Sequence, residues 1–211
     1  AEALGGRTLL CDPPRQERGE QGFCTLADIA AQADVVTFHT PLTRSGRHAT
    51  LHMADTAFFN SLQRRPVIIN SGRGEVVDAV ALKAALDSEK VFCAVIDTWE
   101  HEPNIDRNLL ERVFLGTPHI AGYSADGKAN GTRMALEAVA RHFGLDLSFH
   151  IQAPALPADY AYCVEHFSPH HPHAPYLRCY DPRRDSDALK SKPEDFERLR
   201  GDYPLRREFF S

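Results

Sequence analysis

Val67-Ile68-Ile69-Asn70-Ser71-Gly72-Arg73-Gly74 decides the fold. Its first four residues form a nearly unbroken apolar run, the pattern of a strand buried on both faces of a parallel sheet. The run stops at a turn in which glycines flank one arginine. Glycine removes the Cβ barrier, so backbone and guanidinium can both come close to a ligand.

Working outward, the same grammar repeats. Asp34-Val35-Val36-Thr37-Phe38-His39-Thr40 reads as a strand stopped by Pro41, and Phe92-Cys93-Ala94-Val95-Ile96-Asp97 as a buried strand ending in an acid. Arg7-Thr8-Leu9-Leu10-Cys11-Asp12 reads as a shorter strand, ended by Pro13-Pro14. Val113 to Gly116 leads into Thr117-Pro118-His119-Ile120-Ala121-Gly122-Tyr123-Ser124. Helical patterns lie between. Thr25 to Ala33 opens with Thr25 as N-cap and Asp28 three residues on. Asp55 to Leu62 and Asp78 to Ser88 follow, and Gly131 to Phe143 is stopped by Gly144. Strands and helices alternate from Arg7 to Phe143 at roughly one unit per 30 residues, which means an α/β fold with a parallel sheet covered on both faces.

Open parallel sheets bind ligands beyond the carboxyl ends of their strands. Arg73 sits at one such end, and Thr40 at another. Asp97 leads into a carboxylate-rich loop with Glu100 and Glu102. His119 lies between a proline and a small-residue turn. One cation, one carboxylate and one imidazole suffice to hold an anionic substrate and move a proton. Asp12, at the tip of an early strand, suits the hydroxyls of an adenosine ribose, and its charge favours NAD over NADP.

The 211 residues allow one large domain, or a medium domain with an appendage. A net charge of −5 gives no reason to expect nucleic acid or an anionic membrane as partner. No apolar run approaches the ~20 residues of a membrane span, and no signal peptide is visible. Cys11, Cys24, Cys93, Cys163 and Cys179 are odd in number and unpaired in spacing, which reads as reduced thiols of a cytoplasmic protein. After Leu145 the texture changes to proline-rich, mixed-sign chain. His166, His170, His171 and His173 cluster there without a helical or paired-cysteine frame, so no metal site is expected. Pro193 to Tyr203 reads as a short charged helix. Mixed charge with aromatics suits a protein–protein contact.

Four motifs occur in one order: Phe38-His39-Thr40-Pro41-Leu42, Ile69-Asn70-Ser71-Gly72-Arg73-Gly74, Asp97-x-x-Glu100-x-Glu102-Pro103 and Thr117-Pro118-His119-Ile120. On these the chain resembles the D-isomer-specific 2-hydroxyacid dehydrogenases. The resemblance implies a partial Rossmann-type doubly wound sheet over residues 1–144, followed by a small α/β dimerisation domain over 145–211 and hence a homodimer. It implies NAD as cofactor, with Asp12, Thr40, Asp97 and Gly122 near it. It also implies Arg73 on the substrate carboxylate, His119 as proton carrier, and Glu102 rather than Glu100 as its partner. A narrower likeness, to one member acting on a phosphorylated hydroxy acid, rests on Leu10-Cys11-Asp12-Pro13-Pro14, on Ala121-Gly122-Tyr123-Ser124 and on the tail. It implies Tyr123 at the substrate phosphate. Two rivals are a dehydrogenase for another D-2-hydroxy acid such as glycerate or its phosphate, and a non-catalytic NAD-sensing module. The family's glycine-rich phosphate loop is expected roughly 20 residues before Asp12, so the chain reads as the carboxyl-terminal portion of a longer protein.

Overall fold

The computed structural model describes residues 5–155, 177 and 180–208. Four parallel strands, β1 (Val35–Phe38), β2 (Val67–Asn70), β3 (Cys93–Ile96) and β4 (Leu115–Gly116), form a sheet in the order β1-β2-β3-β4. The register is continuous: Thr37 lies beside Ile69, Ile69 beside Val95, and Val95 beside Leu115. The carboxyl ends of all four strands therefore meet along one rim.

Helices link the strands. The first two are α1 (Pro13–Glu17) and α2 (Leu26–Gln32). Then α3 (Thr56–Ser61), α4 (Ala79–Asp87) and α5 (Arg107–Arg112) each join one strand to the next. Each of α2 to α5 begins where a side chain captures free backbone N–H groups. Thr25 and Asp28 form a reciprocal capping box, while Asp55, Asp78 and Asp106 cap α3, α4 and α5. The core lies between these helices and one face of the sheet, where Ile68, Ala94 and Ile96 meet Phe58, Phe59, Leu82 and Leu110. Ile69, Val95 and Leu115, which point to the opposite face, are only partly buried. The described residues thus cover the second face in part.

Three sequence expectations are corrected. Arg7 to Asp12 is not a regular strand: Leu10 makes an isolated bridge to Phe23, and Pro13 and Pro14 begin α1 instead of merely ending a strand. Proline suits the first turn of a helix because its missing N–H has no partner there, and the Asp12 side chain caps that turn. The last helix of the sheet region, α6 (Ala125–Phe143), starts six residues before Gly131. Ser124 caps it, and Gly127 is needed beside that cap, because a Cβ would stand 2.8 Å from Ser124 Oγ. Gly144 ends α6 in the left-handed conformation, as expected.

The tail returns to the same core. Helix α7 (Pro182–Ser191) lies against β4, where the Gly116 N–H donates to Ser186 Oγ at 3.1 Å. After a 3-10 turn comes α8 (Phe196–Gly201). Leu189 and Phe196 are completely buried with the sheet residues. Tyr203 to Glu208 then follow as an arm without regular secondary structure. Along α6, Met134, Val139 and Phe143 stand exposed, and so do Leu145 and Leu147 beyond it. Among the described residues, no helix is long and apolar enough to cross a membrane. Cys11, Cys24 and Cys93 are free thiols. The His166–His173 cluster, Cys163 and Cys179 lie outside the described residues.

Candidate active site

Each strand's exit loop is fixed by its neighbour. After β2, buried Asn70 shapes the turn: its Nδ2 donates to Arg73 O at 3.0 Å, and its Oδ1 accepts from the Gly72 N–H at 3.3 Å. Gly72 packs against the exit of β1, where a Cβ would stand 3.0 Å from Phe38 O and 3.3 Å from Thr40 O. On the other side, a Cβ on Gly74 would occupy the space of the Trp99 carbonyl. The two glycines read as ligand-facing in the sequence are, structurally, contact points between loops. Arg73 is left at the rim. Its Nη1 donates to Gly72 O at 2.7 Å, and no carboxylate among the described residues forms an ion pair with it.

After β3, Asp97 turns back toward the next loop. Its buried carboxylate accepts three hydrogen bonds, from Thr117 Oγ1 at 2.6 Å and from the N–H groups of Ile120 at 2.8 Å and Ala121 at 2.9 Å. The Asp97 carbonyl accepts from the His119 N–H at 2.8 Å. This network holds His119 in a left-handed conformation, φ 56°, which costs a non-glycine residue energy and persists where the surroundings impose it. Its Nδ1 lies 2.8 Å from Glu102 Oε2. Glu102 is itself fixed, since its Oε1 accepts from the Trp99 N–H at 2.8 Å, while Trp99 Nε1 donates to Thr117 O at 2.9 Å. With Nδ1 held by a carboxylate, Nε2 is the nitrogen left to meet a substrate.

Glu100 is committed elsewhere. Its Oε1 lies 2.7 Å from His52 Nε2, and its Oε2 accepts from the Ala79 N–H at 3.0 Å. Hydrogen bonding to Glu100 raises the pKa of His52 from its ordinary value, outweighing the opposing effect of burial.

The remaining predicted residues are placed as follows. Thr40 follows β1, with a buried Oγ1 that has no hydrogen-bond partner. Asp12 accepts from the Arg15 N–H at 3.1 Å, and no hydrogen bond or ion pair among the described residues ties it to Arg73, Glu102 or His119. Gly122 is exposed, with nothing within 4 Å of a Cβ. Tyr123 lies under Lys128 Nζ, 4.3 Å from its ring centroid, and edge-on to Tyr203 at 6.2 Å.

Sequence reasoning missed the arm. Arg207 and Asp126 form a two-pronged buried ion pair at 2.8 Å, and Glu208 Oε1 accepts from Ser124 Oγ at 2.6 Å. Arg207 holds the Asp126 carboxyl below its usual range. Asp185, which accepts from Tyr203 OH at 2.9 Å, is pushed up by burial. A cleft of about 540 Å³ opens over the partly covered sheet face, between Asn70, Asp97, Thr117, Tyr180 and Arg206. It shares Asp97 and Ala121 with the His119 turn, but Arg73 and His119 do not line it.

Residues 1–121 match the family model described as D-isomer specific 2-hydroxyacid dehydrogenase, NAD binding domain. The chain belongs to that family. It is 50% identical over 209 residues to an erythronate-4-phosphate dehydrogenase of Bacteroides thetaiotaomicron, covering 99% of this chain and 58% of that protein. It is 52% identical to the enzyme of that name from Bacteroides fragilis, with the same coverage. Among solved structures, a D-lactate dehydrogenase from Sporolactobacillus sp. superposes with a TM-score of 0.53 at 28% identity, over 74% of this chain and 51% of that one. Both the family expected from the four motifs and the narrower likeness are borne out. The chain spans 58% of the length of those Bacteroides relatives.

Proposed function

We propose that this chain is the cofactor-binding and proton-transfer portion of an NAD-dependent dehydrogenase that oxidises 4-phospho-D-erythronate to 2-oxo-3-hydroxy-4-phosphobutanoate, a step in pyridoxal 5′-phosphate (vitamin B6) synthesis in the cytoplasm. One observation carries the reading: the 2.8 Å pairing of His119 Nδ1 with Glu102 Oε2 at the carboxyl rim of a parallel sheet. Likeness to enzymes of that name over 99% of the chain supports the choice of substrate.

Bound NAD would supply the hydride acceptor. The partnerless buried Thr40 Oγ1 fits a ligand that brings a hydrogen-bond partner. Asp97 retains room too, because a carboxylate offers about four acceptor positions and three are filled. Asp12 would take the ribose hydroxyls, and Gly122, without a side chain, would let the nicotinamide end approach. Arg73 would hold the substrate carboxylate in a two-pronged contact. His119 Nε2 would take the hydroxyl proton as the carbon–hydrogen bond breaks. Glu102 would fix the tautomer and stabilise the imidazolium that forms. Tyr123 would face the substrate phosphate.

Residues 145–211 would carry a dimer contact, which the exposed Leu145 and Leu147 support. A concentration-independent monomer mass would overturn that part. For the function, the protein as isolated from its source is supplied with NAD and 4-phosphoerythronate, and NADH is followed by absorbance. Saturable NADH formation is expected, with poor turnover of unphosphorylated erythronate and of phosphoglycerate. Preference for either poor substrate would reassign the enzyme within the family. No turnover with any hydroxy acid, alongside NAD binding, would leave a sensing module.

A further inference from the structure

The turn after His119 is gripped from two sides. Asp97 accepts from the N–H groups of Ile120 and Ala121. The carbonyls of the same two residues accept from one guanidinium nitrogen of Arg206, at 2.6 and 2.8 Å. A carboxylate within the sheet and an arginine 86 residues beyond Ile120 thus divide one dipeptide between them. The guanidinium is stacked in place: its Cζ lies 4.6 Å from the Tyr180 ring centroid and 5.5 Å from that of Tyr203. Arg206 O also accepts from the Ala125 N–H at 2.7 Å, so the arm holds the turn where it enters α6.

We propose that Arg206 is a positioning residue of the active site, through which the carboxyl-terminal arm sets where His119 stands. This rests on the reading of His119 as the proton carrier. Asp97 alone fixes the N–H edge of the turn, and a peptide held along one edge can rotate about that edge. On the carbonyl edge Ile120 O also accepts from the Tyr123 N–H at 2.9 Å within the turn. Arg206 holds both Ile120 O and Ala121 O from outside it and so limits the rotation, which for a proton-transferring imidazole is the difference between aligned and misaligned. Tyr203 to Glu208 have no secondary structure of their own. The arm is held by the Arg206 O bond to the Ala125 N–H, by the Arg207–Asp126 pair and by Glu208 on Ser124, and the Arg206 guanidinium is the group that carries this hold to the turn carbonyls.

The test compares Arg206→Ala and Arg206→Lys with the unaltered protein as isolated from its source. Arg206→Ala is expected to lower kcat at least tenfold while KM changes less than threefold. Arg206→Lys, which can still donate to both carbonyls, recovers most of the loss, and millimolar guanidinium restores part of the activity of the alanine variant. An alanine variant that folds and turns over normally would overturn the proposal. So would a loss of activity that neither lysine nor guanidinium repairs, because that is the mark of a general structural defect. Hydrogen–deuterium exchange over residues 117–126 reads the same claim without turnover. Faster exchange in Arg206→Ala is expected and unchanged exchange refutes the grip, even if the protein proves to have another substrate.

Discussion

Glu100 and Glu102 lie two residues apart, yet they serve different histidines: Glu100 Oε1 is 2.7 Å from His52 Nε2 and Glu102 Oε2 is 2.8 Å from His119 Nδ1. The two should separate by mutation. Glu102→Gln leaves the amide to face the imidazole in place of a charge, and kcat should fall roughly tenfold to a hundredfold. Glu100→Gln should change kcat less than threefold but lower stability by about 1 kcal/mol, the net size of a typical hydrogen bond. Steady-state kinetics and urea titration on both variants decide it; equal effects on kcat would deny the division.

His119→Asn should cut kcat roughly a hundredfold or more while keeping the melting temperature, because asparagine tolerates the left-handed backbone that position 119 requires. Unchanged turnover would remove His119 from the chemistry.

How far the site was legible in the sequence follows from how local each signal is. The rim was legible, because strand-ending residues, the Thr25–Asp28 capping box and the Gly72–Gly74 turn are written in neighbouring positions. The start of α6 lies six residues before the Gly131 expected from the sequence, because it is set by the Ser124 cap and by Gly127, which makes room for that cap. Helices α5 and α7 were passed over. One is six residues long, and the other begins with an Asp181-Pro182 start signal inside proline-rich chain, where proline was read as a breaker. The Arg206 grip was not legible at all, since nothing local in Leu205-Arg206-Arg207-Glu208 encodes carbonyl partners more than 80 residues away.

The His52–Glu100 pair makes stability depend on pH. Its bonded state raises the folded pKa of His52 above the unfolded value of about 6.5. Protonation therefore favours the folded form, and the contribution is complete below that value and disappears as pH rises through the folded pKa. The melting-temperature gap between the unaltered protein and His52→Gln should be larger at pH 5.5 than at pH 9. A gap independent of pH would show that His52 acts only by packing. Its side chain is 41% exposed, so solvent screening keeps the effect small.

Asp126 and Arg207 are nearly shut off from solvent, at 5% and 10% side-chain exposure. Asp126→Asn removes the carboxylate charge from this buried pair and should cost roughly 3 kcal/mol, read by denaturant unfolding. Because Arg207 lowers the Asp126 pKa, the contribution is present above the ordinary carboxylate pKa and fades as pH falls through the lowered one. A destabilisation below about 1 kcal/mol would assign the pair to the exposed class.

Asp12 can be tested for cofactor choice without losing its cap on α1, since serine is also a good cap. Asp12→Ser should shrink the preference for NAD over NADP by on the order of tenfold, by removing a charge that repels the 2′-phosphate. An unchanged ratio would place the discrimination elsewhere.

The contact at Gly74 has a mechanical consequence. The loop bearing Arg73 and the loop leading to Glu102 meet backbone to backbone, with no side chain between them to act as a cushion. Atoms in such contact repel steeply, so the two loops behave as parts of one casting, and a push on either is felt by the other at once. The turn that carries Arg73 and the loop that carries Glu102 therefore cannot be displaced independently, and a shift of one is passed on to the other.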